Sequence, residues 1–393
     1  MKSARKLAAF AALFFSIFSI LSVPAFSQAS GETIKARAVF VGDIMAHAEQ
    51  LKAARYEASW DFKPQFRRVK PLIWKALAVG NLETVFAGDA YEFGGYPVFN
   101  TPDELASALD DLGMDIVTIA NNHILDLGYD AAKRTADVLD RAGIFWTGLS
   151  AQEDPDEPLV VEYAGLRWAF VNFSCGSDNK ASPAPGDLRL NLISEEAVVS
   201  ALKRASSYEP DVTVAYLHWG LEYQYSPAQS QRKIAALCVQ NGADIVVGSH
   251  PHVLQPLEIT SNDKGYAAIA YSLGNFISSI RSASCERSVV LAVEIEKNER
   301  ERARISRVSI APTWVSAREA NGRQIIEVVY AGTGGSFNHN ALPETELATA
   351  RRAGKQILEF LGASGQADKY GFYTLWDAVS PDKTPHPARE APE

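Results

Sequence analysis

Ile116-Val117-Thr118-Ile119-Ala120-Asn121-Asn122-His123-Ile124-Leu125-Asp126-Leu127-Gly128 is the stretch on which the fold turns. A short apolar run stops at a cluster of amide, imidazole and carboxylate, and a helical stretch follows from Tyr129. Runs this short and this apolar read as strands buried on both faces. The order recurs elsewhere in the chain. Ala38–Val41 leads to Gly42-Asp43, and Leu77–Val79 to Gly80-Asn81-Leu82-Glu83. Val212–Leu217 leads to His218-Trp219-Gly220, and Ile245–Val247 to Gly248-Ser249-His250-Pro251-His252.

Helices fall between these runs. Thr101 is read as an N-cap, with Pro102 at the first helical position, Glu104 completing a capping box and Gly113 closing the helix. Ser194 opens another before Glu195-Glu196, and a third begins near Ala228 and ends at Asn241-Gly242. Strands alternating with helices predict a layered α/β fold with much parallel pairing.

In open α/β sheets ligands bind beyond the carboxyl ends of the strands. Of the seven histidines, His47, His123, His218, His250 and His252 lie at or just past such ends, while His339 and His386 do not. Structural histidines would be scattered, so a convergent metal site is predicted. Imidazole, carboxylate and amide oxygen together suit divalent Mn, Fe, Zn or Mg. A carboxylate bridging two such ions sets up phosphate-ester hydrolysis, with a neighbouring imidazolium protonating the departing oxygen.

The ordered set of these motifs, with Ser272-Leu273-Gly274-Asn275-Phe276, resembles the CapA family of poly-γ-glutamate capsule synthesis. The resemblance spans roughly residues 36–276. It implies the calcineurin-like metallophosphoesterase fold, a layered β-sandwich flanked by helices in the order αββα. It also implies one or two divalent ions per chain. Asp43 and His252 would hold one ion, Asn122, His218 and His250 the other, and Glu83 would bridge. His123 would be the general acid. Asn81, Asn121 and Asp126 would orient these groups, with a turn role for Asn121 and a helix-cap role for Asp126 as the alternatives. One departure stands out: the histidine usual two residues after the first aspartate is Met45 here. His47 follows two residues later and is open to three readings, as a ligand, a substrate contact or neither.

Further from the strand ends, Glu222, Tyr223 and Tyr225 form a loop-like stretch beside His218. Arg281 and Arg287 are placed to pair with a phosphate or carboxylate, or else lie on the surface as solvated cations. Trp146, Trp168 and Trp219 read as packing residues. Ser288–Ile295 and Arg304–Ile310 alternate as a hairpin, Gln324–Tyr330 as a further strand, and the three are assigned to the second sheet of the sandwich. Glu344–Leu361 reads as a helix.

Composition removes other classes. A chain of 393 residues, 47% hydrophobic and 22% charged, is neither disordered nor a disulfide-stapled scaffold. The balance of 38 basic against 47 acidic residues, net −9, does not fit nucleic-acid binding. Lys2, Arg5 and Lys6 precede an apolar run to Val23 and the small-residue site Ala25-Phe26-Ser27, so residues 1–27 are read as a secretory leader. The alternative is an uncleaved anchor that holds the protein at the membrane. Either places the protein outside the cytoplasm, where Cys175 and Cys285 are available to pair. Cys238 is read as a buried inert thiol. The expected organisation is a domain over 34–340, a peripheral helix and segment over 341–374, and a disordered tail over 375–393.

The function expected is an exported metal-dependent phosphoesterase-type hydrolase. Its partner would be an anionic envelope polymer or a phosphorylated precursor. The alternative is a polymer-binding assembly or export factor that keeps the fold without hydrolysis, and a broad nucleotidase ranks third.

Overall fold

A computed structural model of the chain describes residues 33–151, 157–178, 188–282, 284–298, 301–335, 337 and 342–379. The leader, His339, His386 and the expected tail from residue 380 onward lie outside the described residues. In chain order the first elements are β1 (Ile34–Ile44), α1 (Ala48–Ala54), β2 (Arg55–Tyr56), β3 (Ser59–Trp60), α2 (Lys63–Phe66), α3 (Lys70–Ile73) and β4 (Leu77–Leu82). Then come α4 (Glu104–Leu112), β5 (Ile116–Thr118), α5 (Gly128–Ala142), β6 (Phe145–Thr147), β7 (Leu149–Ala151), β8 (Leu159–Tyr163) and β9 (Leu166–Ser174). β10 (Leu188–Leu190), α6 (Glu195–Ser206), β11 (Val212–His218), α7 (Gln229–Gln240), β12 (Ile245–Ser249), β13 (Leu257–Asn262) and β14 (Gly265–Ala270) follow. The last are β15 (Asn275–Ile277), β16 (Arg287–Lys297), β17 (Arg304–Ala320), β18 (Arg323–Tyr330), α8 (Glu344–Phe360) and β19 (Tyr373–Asp377).

Two large sheets carry the fold. One runs β18-β17-β16-β1-β4-β5-β6, with β15 beside β1 and β19 beside β17. Its β1, β4, β5 and β6 are parallel, and β16 to β18 extend it antiparallel. The other runs β13-β14-β12-β11-β9-β8, parallel at its centre and antiparallel at both edges. Side-chain alternation explains the layering. In β1, Ala38 and Phe40 join the core between the sheets with Phe170, Tyr216 and Val247. Val39 and Val41 join an outer core with Leu109 of α4 and Leu139 of α5. Ala215 and Leu217 of β11 do the same against Leu202 of α6 and Cys238 of α7. The expected α/β sandwich of helices, sheet, sheet and helices is what forms. Fully burying a side chain such as Phe40 or Phe170 contributes about 1.5–3 kcal/mol by area, so both faces of each sheet are strongly specified.

Several expectations need correction. The hairpin and strand after Phe276 do not belong to the second sheet: β16 pairs antiparallel with β1 from Ile34↔Lys297 to Phe40↔Leu291, which adds them to the first. Thr101 does not cap α4; its hydroxyl lies 2.6 Å from that of Thr84, and the helix starts at Glu104. Asp126 does not cap α5, whose N-cap is Leu127. Cys175 and Cys285 are both free, the first exposed and the second buried. The segment expected to be disordered from residue 375 begins as strand, because β19 pairs with β17 and buries Leu375 and Trp376. Cys238, as expected, is buried, and burial pushes its thiol up to about 12. Among the described residues no helix is long and apolar enough to cross a membrane.

Candidate metal centre

The carboxyl ends of the two sheets meet at one place. Tyr216 of β11 donates its hydroxyl to the Val41 carbonyl of β1 at 2.6 Å, which ties the sheets together just below it. β1 carries an irregularity between Val41 and Asp43, and such bulges re-aim a side chain. Two glycines allow the backbones to approach. A Cβ on Gly42 would stand 1.8 Å from the Gly274 carbonyl oxygen, and one on Gly248 1.9 Å from that of Tyr271.

Asp43 and Glu83 leave the ends of β1 and β4 and are completely buried. Asn81 stands between them, its Nδ2 donating to Asp43 Oδ1 at 2.8 Å and to Glu83 Oε2 at 3.1 Å. Glu83 Oε1 has no hydrogen-bond partner, yet it sits 3.9 Å from His218 Nε2 and 3.8 Å from His252 Nε2. That midway position is what a bridging carboxylate requires. His252 Nδ1 lies 3.3 Å from Asp43 Oδ2 and 3.0 Å from Asn275 Oδ1. Asp43, Glu83 and His252 offer ligand atoms within 4.8 Å of one another.

Asn122 Oδ1 lies 2.8 Å from His218 Nε2, so these two donors converge on the other side of Glu83. His218 Nδ1 is 3.0 Å from Ser249 Oγ, which holds the ring. The His250 ring centre is 4.7 Å from that of His218, and its buried Nδ1 has no partner. His250 and His252 both take left-handed backbone, with φ of 94° and 60°. A histidine held there is strained, and such strain concentrates at functional sites.

The electrostatics agree with an ion site. Burial, and then the adjacent Asp43, raise the Glu83 pKa well above the carboxylate range. Burial, then the neighbouring imidazoles, push His218 well below its usual value, and the same two causes take His250 to about 4. For His252 burial alone acts downward, but the hydrogen bond and charge of Asp43 outweigh it and the pKa is raised. Neutral imidazoles, crowded carboxylates and two orphaned buried atoms fit a divalent cation well.

Beside this cluster, His123 Nδ1 lies 3.0 Å from Asp126 Oδ2. Asp126 Oδ2 also accepts the Phe99 N–H at 2.8 Å, so it positions the histidine rather than a helix. Asn121 Oδ1 accepts the His123 N–H at 3.1 Å, and its Nδ2 donates to the Leu82 carbonyl at 2.7 Å. Glu222 Oε1 is 3.9 Å from His252 Nε2, and the Tyr223 ring centre 5.9 Å from that of His252.

Two residues singled out by sequence do not join the ligand set. His47 caps the start of α1, its Nδ1 accepting the Ser279 N–H at 3.4 Å, and so does not fill the place left by Met45, which is buried. Arg281 Nη1 donates to the Val315 carbonyl at 2.8 Å. Asp178, Ser249 and Asn275 were not foreseen. Asp178 Oδ2 accepts from Asn122 Nδ2 at 3.3 Å and stands 3.8 Å from His123 Nδ1. It sits in the polar stretch after β9, the same signal that located the other strand ends.

The family model for bacterial capsule synthesis protein PGA_cap matches residues 37–279. The chain is 29% identical over 257 residues to the capsule biosynthesis protein CapA of Bacillus anthracis, covering 63% of this chain and 60% of that protein. It is 26% identical over 278 residues to the PGA biosynthesis protein CapA of Bacillus subtilis (strain 168), covering 70% of this chain and 71% of that one. Among solved structures it is similar to the NAD nucleotidase NadN of Haemophilus influenzae, with 12% identity, 82% of this chain and 56% of that chain covered, and a TM-score of 0.43. The resemblance to CapA drawn from the ordered motifs is therefore met, and the chain spans about 60% of the length of the B. anthracis relative.

Proposed function

Because the chain belongs to the bacterial capsule synthesis protein family PGA_cap, we propose that it is an exported, divalent-metal-dependent phosphoesterase-type hydrolase. It serves the synthesis of capsule, poly-γ-glutamate or another envelope polymer. Its substrate is that polymer or a phosphorylated precursor. The supporting observation is the unpartnered Glu83 Oε1 held midway between His218 and His252. Asp43 and His252 would hold one ion, and Asn122, His218 and His250 a second, with Glu83 shared between them. Bound ions supply positive charge to a phosphoryl oxygen and acidify a water. Asn81 fixes the two carboxylates relative to each other. Asp126 holds His123 Nδ1, which leaves Nε2 free to deliver a proton to the departing oxygen.

The test is metal content per chain together with manganese-stimulated release of p-nitrophenol from mono- and diester substrates. One or two ions bound, with turnover lost in His218→Ala and Asp43→Asn, is the expected result. Turnover surviving both substitutions would remove the hydrolase reading. A second reading, a polymer-binding assembly factor without turnover, is favoured by one observation: Met45 stands where a further imidazole ligand would be. Tight binding of polyglutamate by a metal-loaded but inactive protein would support it.

A further inference from the structure

The mouth of the metal centre is apolar and acidic where a site for a polyanion would be basic. Tyr96 is 72% exposed, Val98 46%, Leu221 63% and Tyr223 40%. Large aromatics left in water at the rim of a buried polar site mark a contact surface. The Tyr96 ring centre is 6.3 Å from that of His123, on the proton-donor side. The Tyr223 ring centre is 5.9 Å from that of His252, whose Nε2 is 3.8 Å from Glu83 Oε1.

Both tyrosines are held in place. A Cβ on Gly95 would lie 2.6 Å from His47 Cα, so the loop bearing Tyr96 is pressed onto the start of α1. The Phe99 N–H to Asp126 pins its other end. Tyr223 has a φ of 61°, and its N–H donates to the Pro251 carbonyl at 2.8 Å. Gln255 Nε2 donates to the next carbonyl, that of Gln224, at 2.7 Å. Among the described residues the charged groups beside these histidines are acids: Asp178 beside His123, with 55% of its side chain exposed, and Glu222 beside His252, with 42%. Of the arginines singled out by sequence, Arg281 donates to the Val315 carbonyl, and Arg287 Nε lies buried 3.6 Å from Glu286 without a hydrogen-bond partner.

We propose that Tyr96 and Tyr223 form an aromatic clamp selecting a phosphoester whose alcohol portion is an uncharged ring, sugar or aromatic, rather than a polyanionic chain. The clamp rests on the phosphoesterase reading for its phosphoryl group, narrows the substrate of that reading from the polymer to the phosphorylated precursor, and rests on the two tyrosines for its choice of leaving group. Ring contacts with two aromatic faces are worth about tenfold in affinity, and the acidic rim repels a second negative charge.

Calorimetric titration of the manganese-loaded full chain with phenylphosphonate, a glucose-derived phosphonate, methylphosphonate and phosphonoacetate tests this. At least one ring-bearing phosphonate should bind about tenfold tighter than methylphosphonate, and phosphonoacetate should bind most weakly. The phenyl and glucosyl arms separate an aromatic from a sugar ring. The preference should fall in Tyr96→Ala and Tyr223→Ala and survive in Tyr96→Phe. Equal affinities, no binding of either ring-bearing probe, phosphonoacetate binding tightest, or a preference unchanged in both alanine variants would each overturn the clamp. Absence of p-nitrophenol release with the ring preference intact would instead remove hydrolysis and leave the clamp standing.

Discussion

Glu83 carries two environments on one carboxylate: Oε2 is satisfied by Asn81, and Oε1 is buried with nothing to accept from. An unpaired buried oxygen costs about 1–3 kcal/mol unless a cation takes it up. Glu83→Gln should therefore lower metal affinity at least tenfold while raising the melting temperature of the metal-free protein, measured by calorimetry with and without chelator. Asp126 acts differently, through His123 and, by accepting the Phe99 N–H, through the loop that bears Tyr96. Asp126→Asn should leave metal content unchanged and reduce kcat for p-nitrophenyl phosphate by about 10–100-fold. Equal loss of bound metal would show it to be a structural residue instead. His47 sets an acid limit on the fold. Burial, then the nearby His252, takes its pKa to about 4. A histidine lowered in the native state contributes stability that is complete above its unfolded value near 6.5 and is lost as pH falls towards 4. In the metal-free protein, His47→Gln should flatten the decline in melting temperature between pH 6.5 and pH 4, a difference of up to about 3 kcal/mol. Parallel curves for wild type and variant would contradict it. The sequence indicated Asp43, Glu83, Asn122 and the three ligand histidines because each ends an apolar run. It left His47 undecided, because a side chain four residues past Asp43 points wherever the turn sends it.

At the scale of elements, the site depends on strand ends approaching more closely than side chains permit. Gly248 shows it: a Cβ there would also stand 2.4 Å from Trp219 Nε1, against the 2.9 Å hydrogen bond that this group donates to the Tyr271 carbonyl. Gly248→Ala should destabilise the protein by about 3 kcal/mol or more, read as a fall in the urea midpoint with reduced metal content. An unchanged midpoint would mean that the two segments slide apart freely. Of the parallel strands, β1, β4, β5, β11 and β12 were legible because each carries a short apolar run before a polar end, whereas β6, β9 and β14 were not singled out. Ser194 caps α6 as expected, its side chain accepting the Ala197 N–H. Thr101 was misleading for a physical reason: its hydroxyl had a better partner in Thr84, 17 residues away along the chain but adjacent in space.

For the whole molecule, the candidate ion site is the joint between two sheets, since Asp43, Glu83 and Asn122 come from one and His218, His250 and His252 from the other. Metal bound only by the assembled joint stabilises the fold by mass action, about 2.7 kcal/mol at a hundredfold excess over Kd. Chelation should thus lower the melting temperature by several degrees, and manganese should restore it. No shift on chelation would separate the site from the stability of the sandwich. By itself the sequence determined the alternation of strand and helix, the residues at each strand end and the kind of ion they suit, because burial and donor chemistry are written in residue type. Only the tertiary structure decided that the strands after Phe276 extend the first sheet, that Glu83 Oε1 sits between two imidazoles, and that Tyr96 and Tyr223 stand beside His123 and His252. Those are distances between segments remote along the chain, set by sheet pairing and by the glycines that let backbones touch, and no local pattern encodes them.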